Sequence, residues 1–328
     1  MTRLPRTLTY LAAWFFMLAA VGCAPPPAAK RAESRLDTAA GEAAKPLATQ
    51  AIVSPVAAAA TSSQPTAAAA ENPPPDAAAG EWGTISGKFK FVGDAPEMKD
   101  IYPYKDAFVC GVKETLRDEH LIVGKSGELA NVVVYAMRDS AKWGDAISPI
   151  HPSYESRKKT DVLLDNVNCR FEPHVVAGWT QQRFLYRNSD PSIGHNAFGQ
   201  PFANPAISPL IPASSEYYVD FRKPERLPFP VSCSIHPWMK GYILVRPDPY
   251  FAVSAKDGTF NIANLPAGEF SLQLWHESLG YLKTIAVGGK SREDKKGVHA
   301  FAVKPGDNDL GEIAAAAKDY AKQLDMLK

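Results

Sequence analysis

Three features of the 328-residue chain predict an all-β fold built from two small sandwiches. From Trp82 onward, short runs rich in Val, Ile, Phe and Tyr are separated by clusters of Gly, Pro, Asn and Asp, as strands are by turns. Before the tail, no stretch repeats its apolar residues with the period of a helix. Asp257-Gly258-Thr259-Phe260-Asn261-Ile262 and Leu265-Pro266-Ala267-Gly268-Glu269-Phe270-Ser271-Leu272 read together as a hairpin with Gly-bearing turns. The length allows about two domains. Lys and Arg number 36 against 35 Asp and Glu, a net charge of +1, so nothing marks nucleic acid or an anionic membrane surface as partner.

The chain opens with an export signal over 1–22. Arg3 and Arg6 form its basic end, and Leu8 to Ala20 is apolar but too short to span a bilayer. It ends in Ala20-Val21-Gly22-Cys23, which resembles a bacterial lipobox, with Ala20 where Leu is usual. The resemblance makes Cys23 the lipidated first residue of the mature chain. A plain secretory signal cut nearby is the alternative. Either reading places the protein in the bacterial cell envelope, facing periplasm or cell surface, and any membrane contact runs through a lipid anchor alone. Residues 23–80 are mostly Ala, Pro, Ser and Thr. Such a segment buries too little to offset its ordering entropy and reads as a disordered tether.

Ordered structure is expected from Trp82. Thr84 to Phe91 alternates as a half-buried strand does, and Leu121 to Val123 and Leu129 to Met137 are further candidates. Residues 138–160 are loop-like. A second strand-rich block follows: 171–178, 184–188, 217–221, 230–232 and 242–245. In the tail, Val298 to Val303 reads as a strand. Ile313 to Leu327, rich in Ala and Lys with Asp307 or Asp309 to cap it, reads as a short helix.

The D-G-x-F-x-I-x-x-L-P-x-G-x-F run at 257–270 resembles the signature of carboxypeptidase-regulatory-like (transthyretin-like) sandwiches. Ile85-Ser86-Gly87-Lys88-Phe89 and Ala130-Asn131-Val132-Val133-Val134 fill the places of that family's earlier strands. The resemblance implies a split sandwich, 82–145 with 249–290, into which 160–248 is inserted, followed by a strand and helix over 291–328. A single larger sandwich, or two in tandem, is the alternative.

The chemistry concentrates in Cys233-Ser234-Ile235-His236-Pro237-Trp238-Met239. A thiolate, an imidazole and a thioether at C-x-x-H-x-x-M spacing are the donors of a blue-copper site, which needs one more His. His195 lies 38 residues upstream of Cys233, just past a strand ending at Asn188. The pattern F-x-P … N-S-D … H-N … C-x-x-H-P-x-M-x-G-x-I-x-V over about 171–245 resembles cupredoxins, and its short loop is most similar to amicyanin. Two departures are Ile193-Gly194 before His195 and Pro230 on the approach to Cys233, where an aromatic is usual. The resemblance implies a cupredoxin-like Greek-key sandwich with His195, Cys233, His236 and Met239 as ligands of one type 1 copper.

Asn188 and Asn196 are candidates to pin the ligand loops, with a simple turn cap the other reading of Asn188. Pro237 and Trp238 read as an apolar docking surface, with core packing the competing reading of Trp238. Structural zinc would want four strong donors, commonly paired Cys, and a Cys–His nucleophile would leave Met239 and His195 without roles. The flanking His and the two-Cys loop of oxidase and binuclear copper centres are absent. In an oxidising envelope Cys110 and Cys169 can pair and staple the two sandwiches. His174 reads as structural, and His120, His151, His276 and His299 show no ligand spacing.

Together these features predict an envelope blue-copper protein, not an enzyme, that carries single electrons to an unidentified redox partner protein. A copper-binding or delivery protein, or a surface structural protein whose second sandwich binds a partner, are the alternatives.

Overall fold

The computed structural model describes residues 82–138 and 144–327. The export signal, Cys23 and the tether lie outside the described residues. Among those described, no helix is long and apolar enough to cross a membrane. The protein is all-β, with only short helical turns between strands and at the C-terminus.

Two sheets come from segments flanking the central block. One runs in the order Thr259–Pro266, Trp82–Val92, Gly306–Ala316, Thr284–Val287, Lys290–Glu293. The other runs Phe251–Val253, Val133–Met137, Gly268–His276, Gly280–Tyr281, with Val298–Val303 also paired to Gly268–His276. Ile85, Phe89 and Ile313 from the first meet Val134, Leu272 and Phe301 from the second in one core. The turn before Thr259 needs its glycine. Gly258 has φ +81°, and a Cβ there would stand 2.4 Å from the Phe89 carbonyl oxygen.

The central block forms two further four-stranded sheets. Glu216–Val219, Phe184–Asn188, Val162–Val167 and Arg170–Glu172 make one. Phe198–Gly199, Phe229–Ser232, Lys240–Arg246 and Val175–Trp179 make the other. Each contains one parallel pairing: Val162–Val167 with Phe184–Asn188, and Val175–Trp179 with Lys240–Arg246. A tight hairpin cannot make such pairs, so the chain must cross between sheets. Tyr186, Phe229, Val231 and Ile243 fill this second core, which also holds Cys233 and Met239. A third cluster of Val133, Tyr135, Trp179, Leu244 and Trp275 packs the two regions together. Val133–Met137 is therefore buried at every residue, the physical reason its sequence is continuously apolar and does not alternate.

Three expectations need correction. Ile313 does not begin a helix: Gly306–Ala316 is a strand lying parallel to Trp82–Val92, with Phe89 opposite Ile313 and Phe91 opposite Ala315. Ile313 and Ala315 are buried in alternation, and that ladder overrides the helix propensity of alanine. In the tail, helix is confined to a 3₁₀ turn at Ala317–Tyr320 and the short helix Ala321–Asp325. The expected hairpin is an arch: Thr259–Pro266 pairs with Trp82–Val92, while Gly268–His276 pairs with Val133–Met137 and Val298–Val303. The second strand is buried on both faces over most of its length, so it sits in the middle sheet while the first stays in the outer one. Leu121 to Val123 is no strand, keeping only a single bridge from Val123 to Leu129.

Candidate metal centre

The C-x-x-H-x-x-M run is the connection between two paired strands. Ser232 and Lys240 face each other in the ladder of Phe229–Ser232 with Lys240–Arg246, so Cys233 and Met239 occupy the two mouths of the loop. Cys233 N donates to Met239 O (3.2 Å) and Met239 N to His236 O (2.9 Å), folding the loop on itself. His195 arrives on a different strand, His195–Asn196, paired to Leu210–Ile211.

The two asparagines link these pieces. Asn196 Oδ1 accepts from Ser234 N at 2.7 Å, and its Nδ2 donates to Ser208 Oγ and Ser234 Oγ. The residue after His195 is thereby tied to the residue after Cys233. Asn188, fully buried, donates to the carbonyls of Ile193, Ile211 and Pro212, and its Oδ1 accepts from Asp190 N. It fixes the turn that leads into His195.

Three donor atoms converge. His195 Nδ1 and His236 Nδ1 lie 2.9 Å apart, and Cys233 Sγ lies 3.9 Å and 3.7 Å from them. Both imidazoles are fully buried, and Cys233 and Met239 nearly so. Each ring turns its other nitrogen to a carboxylate: His195 Nε2 to Asp190 Oδ2 and His236 Nε2 to Asp106 Oδ2, both at 2.9 Å. A carboxylate can only accept, so each Nε2 carries the hydrogen and each Nδ1 presents a lone pair inward. Two lone pairs at that separation beside a thiolate call for a cation between them, either a proton or a metal. First-row metal bonds of about 2.0 Å to nitrogen and about 2.3 Å to sulfur give donor separations of this size. The residues present thus fit a thiophilic first-row ion.

Without a metal, the electrostatics favour a proton as that cation. Burial raises the Cys233 thiol, but the pull of the neighbouring His195 and His236 imidazoles on its proton, together with backbone hydrogen bonds, outweighs it and brings the pKa down to about 5. Burial also opposes a charged His195, which Asp190 and Cys233 overcome, raising its pKa. Asp190 is held below its ordinary range despite burial, through His195 and the backbone N–H groups of Cys169 and Asn168.

Cys110 and Cys169 are joined by a disulfide beside the site. Pro237 is exposed, whereas Trp238 is half-buried, its Nε1 donating to Cys169 O at 3.2 Å and its ring 5.3 Å from that of His236. His174 lies just before the strand Val175–Trp179, bonded through Nε2 to Glu277. Among the described residues, the groups of three His, Cys or acidic side chains able to share an ion all fall at this place. Cys169 appears in two of them and Cys110 in one, but both are locked in the disulfide, leaving His195, Cys233 and His236 as the set with free donors. Sequence reading missed both carboxylates. Asp190 could have been found, five residues before His195 in the same turn. Asp106 is 130 residues from His236, with no local signal to link them.

No family model matches the chain, and no curated protein matches it. Among solved structures it is similar to copper proteins over part of its length. A reduced mutant of amicyanin shares 18% identity, covering 26% of this chain and 82% of that one, with a TM-score of 0.24. A novel purple cupredoxin from Nitrosopumilus maritimus shares 20%, covering 26% of this chain and 98% of that one, with a TM-score of 0.22. The copper-containing nitrite reductase of Thermus scotoductus SA-01 shares 22%, and the match spans 33% of this chain and 26% of the reductase, with a TM-score of 0.24.

Proposed function

We propose that this protein binds one copper ion through His195, Cys233 and His236, with Met239 as a weak thioether ligand, and carries single electrons. The observation that carries the reading is the buried triangle of two inward-facing Nδ1 lone pairs and one low-pKa thiol. A thiolate and two imidazoles serve both Cu(I) and Cu(II), and a thioether tunes the potential. The protein's own contribution is rigidity. Asp190 and Asp106 hold the rings in one tautomer and orientation, and Asn196 and Asn188 hold the loops, so little rearranges when the charge of the site changes. Burial keeps water from the donors.

The same reading makes the protein an envelope lipoprotein anchored through Cys23, serving a redox partner protein, with no enzymatic reaction of its own. The central sheets draw no strand from outside 162–246, and the flanking sheets none from inside it. That supports the central block as a cupredoxin-type module inserted into a split sandwich, which the tail strands complete. Adding Cu(II) to the purified protein should give an intense thiolate-to-copper absorption in the red, roughly 600 nm, that Cys233→Ser abolishes. A colourless wild type, or a serine variant with the same copper spectrum, would refute the reading. Release of Cu(I) to an acceptor protein in place of reversible one-electron cycling would favour copper delivery.

A further inference from the structure

None of the candidate ligands reaches the surface. His195 and His236 are 0% exposed, Cys233 2% and Met239 1%. His236 is covered by a segment contributed from outside the central sheets. Asp106 of that segment accepts from its Nε2, and the segment is fastened by the Cys110–Cys169 disulfide and by the small pairing of Asp100–Ile101 with Leu116–Arg117. An electron passing through the His236 edge would meet this cover and not solvent.

Two aromatic rings continue outward from His236. The Trp238 ring lies 5.3 Å from it, centroid to centroid, and the Tyr104 ring lies 5.6 Å beyond, edge-on to Trp238. Trp238 is held in place by its hydrogen bond to Cys169 O, at the disulfide that fastens the cover. Tyr104 is 78% exposed, and it sits on a lip with Tyr102 (80%) and Phe108 (72%). Tyr102 makes no ring contact with the relay.

We propose that Trp238 and Tyr104 form the route by which electrons pass between the buried site and an outer-sphere partner. The inference rests on the electron-carrier reading above. In each transfer the site loses or gains one electron and the partner does the reverse; no bond forms or breaks and no proton moves. The rings are not themselves oxidised. They bridge gaps that would otherwise be crossed through saturated side chains, and the exit lies at the Tyr104 lip.

The test uses the copper-loaded full chain as wild type, Tyr104→Ala, Tyr104→Phe and Tyr102→Ala. Oxidation of the reduced site by tris(bipyridine)cobalt(III) is followed by stopped flow, beside the absorption spectrum and reduction potential. Alkylation of Cys233 by iodoacetamide in the metal-free protein reports whether the cover stays closed. Tyr104→Ala should lose rate several-fold with spectrum, potential and slow alkylation unchanged, while Tyr104→Phe and Tyr102→Ala keep the wild-type rate. A Tyr104→Ala rate equal to or above wild type overturns the route and leaves the copper site standing. So does faster alkylation, which would make Tyr104 a latch for the cover. A wild type without the charge-transfer band removes site and route together.

Discussion

The two histidines of the candidate centre are held in opposite ways. His195 is built locally. Its carboxylate partner, Asp190, is five residues away, almost fully buried, and tied to the backbone N–H groups of Asn168 and Cys169. His236 is held at long range, by Asp106 from a covering segment 130 residues away in sequence that the central sheets do not contain. The difference teaches that one side of the site is part of its sandwich, while the other is completed from outside it and depends on whatever fastens that cover.

The disulfide is the strongest fastening, so breaking it should separate the two sides most. Cys110 and Cys169 are 59 residues apart, and closing a loop of that size restricts the unfolded chain by roughly 2–4 kcal/mol. Replacing both with alanine should lower unfolding free energy by about that amount in denaturant titrations. In NMR spectra of the variant the His236 ring should shift and broaden while His195 keeps its wild-type resonances. Equal disturbance of both rings would mean that the cover supports the whole site.

The carboxylates give a sharper contrast. Asp190 uses both oxygens for three N–H donors, and an asparagine there would turn its NH₂ against one of them in a buried place. Asp190→Asn should cost about 1–3 kcal/mol of stability and on the order of 10–100-fold in metal affinity. Asp106 bonds His236 through one oxygen, and its side chain is partly exposed. It has φ +50°, a conformation asparagine tolerates. Asp106→Asn can keep its oxygen on Nε2, so unfolding and copper titrations should find it close to wild type. Equal losses in the two variants would erase the distinction between local and long-range support.

What was legible in the sequence follows the same division. The all-β class could be read because period-two burial is a local signal. The convergence of Cys233 and His236 follows from a loop between adjacent strands, whose spacing is written in consecutive residues. Asn196 adjoins His195, so its bond to Ser234 was within reach of the same reasoning. The cover was not legible, because nothing near Asp106 points to His236. The arch after Pro266 and the strand at Gly306–Ala316 were misread for a related reason. Which sheet has a free edge is decided by distant segments, and alanine at 314–316 takes the conformation that edge imposes.

The smallest effect tests a second joint between the regions. His174 precedes a strand of the central block, and its partners belong to the flanking segments: Glu277 at Nε2 and Glu119, 3.8 Å from Nδ1. Burial disfavours the imidazolium. The hydrogen bond and charge of Glu277, followed by Glu119 and Asp118, outweigh it and raise the pKa, although Arg170 competes for Glu119. A raised folded-state pKa means the folded protein binds more proton than the unfolded chain between the two values. The joint's contribution is therefore full below the ordinary histidine value of about 6.5, and it is lost as pH rises through the folded value. His174 should contribute about 1 kcal/mol to the fall in stability from mildly acid to mildly alkaline pH, and His174→Gln should make the wild-type slope shallower by that part, leaving what His195 adds. Parallel slopes in the two proteins would show that His174 adds no polar joint to the apolar packing around Trp179 and Trp275.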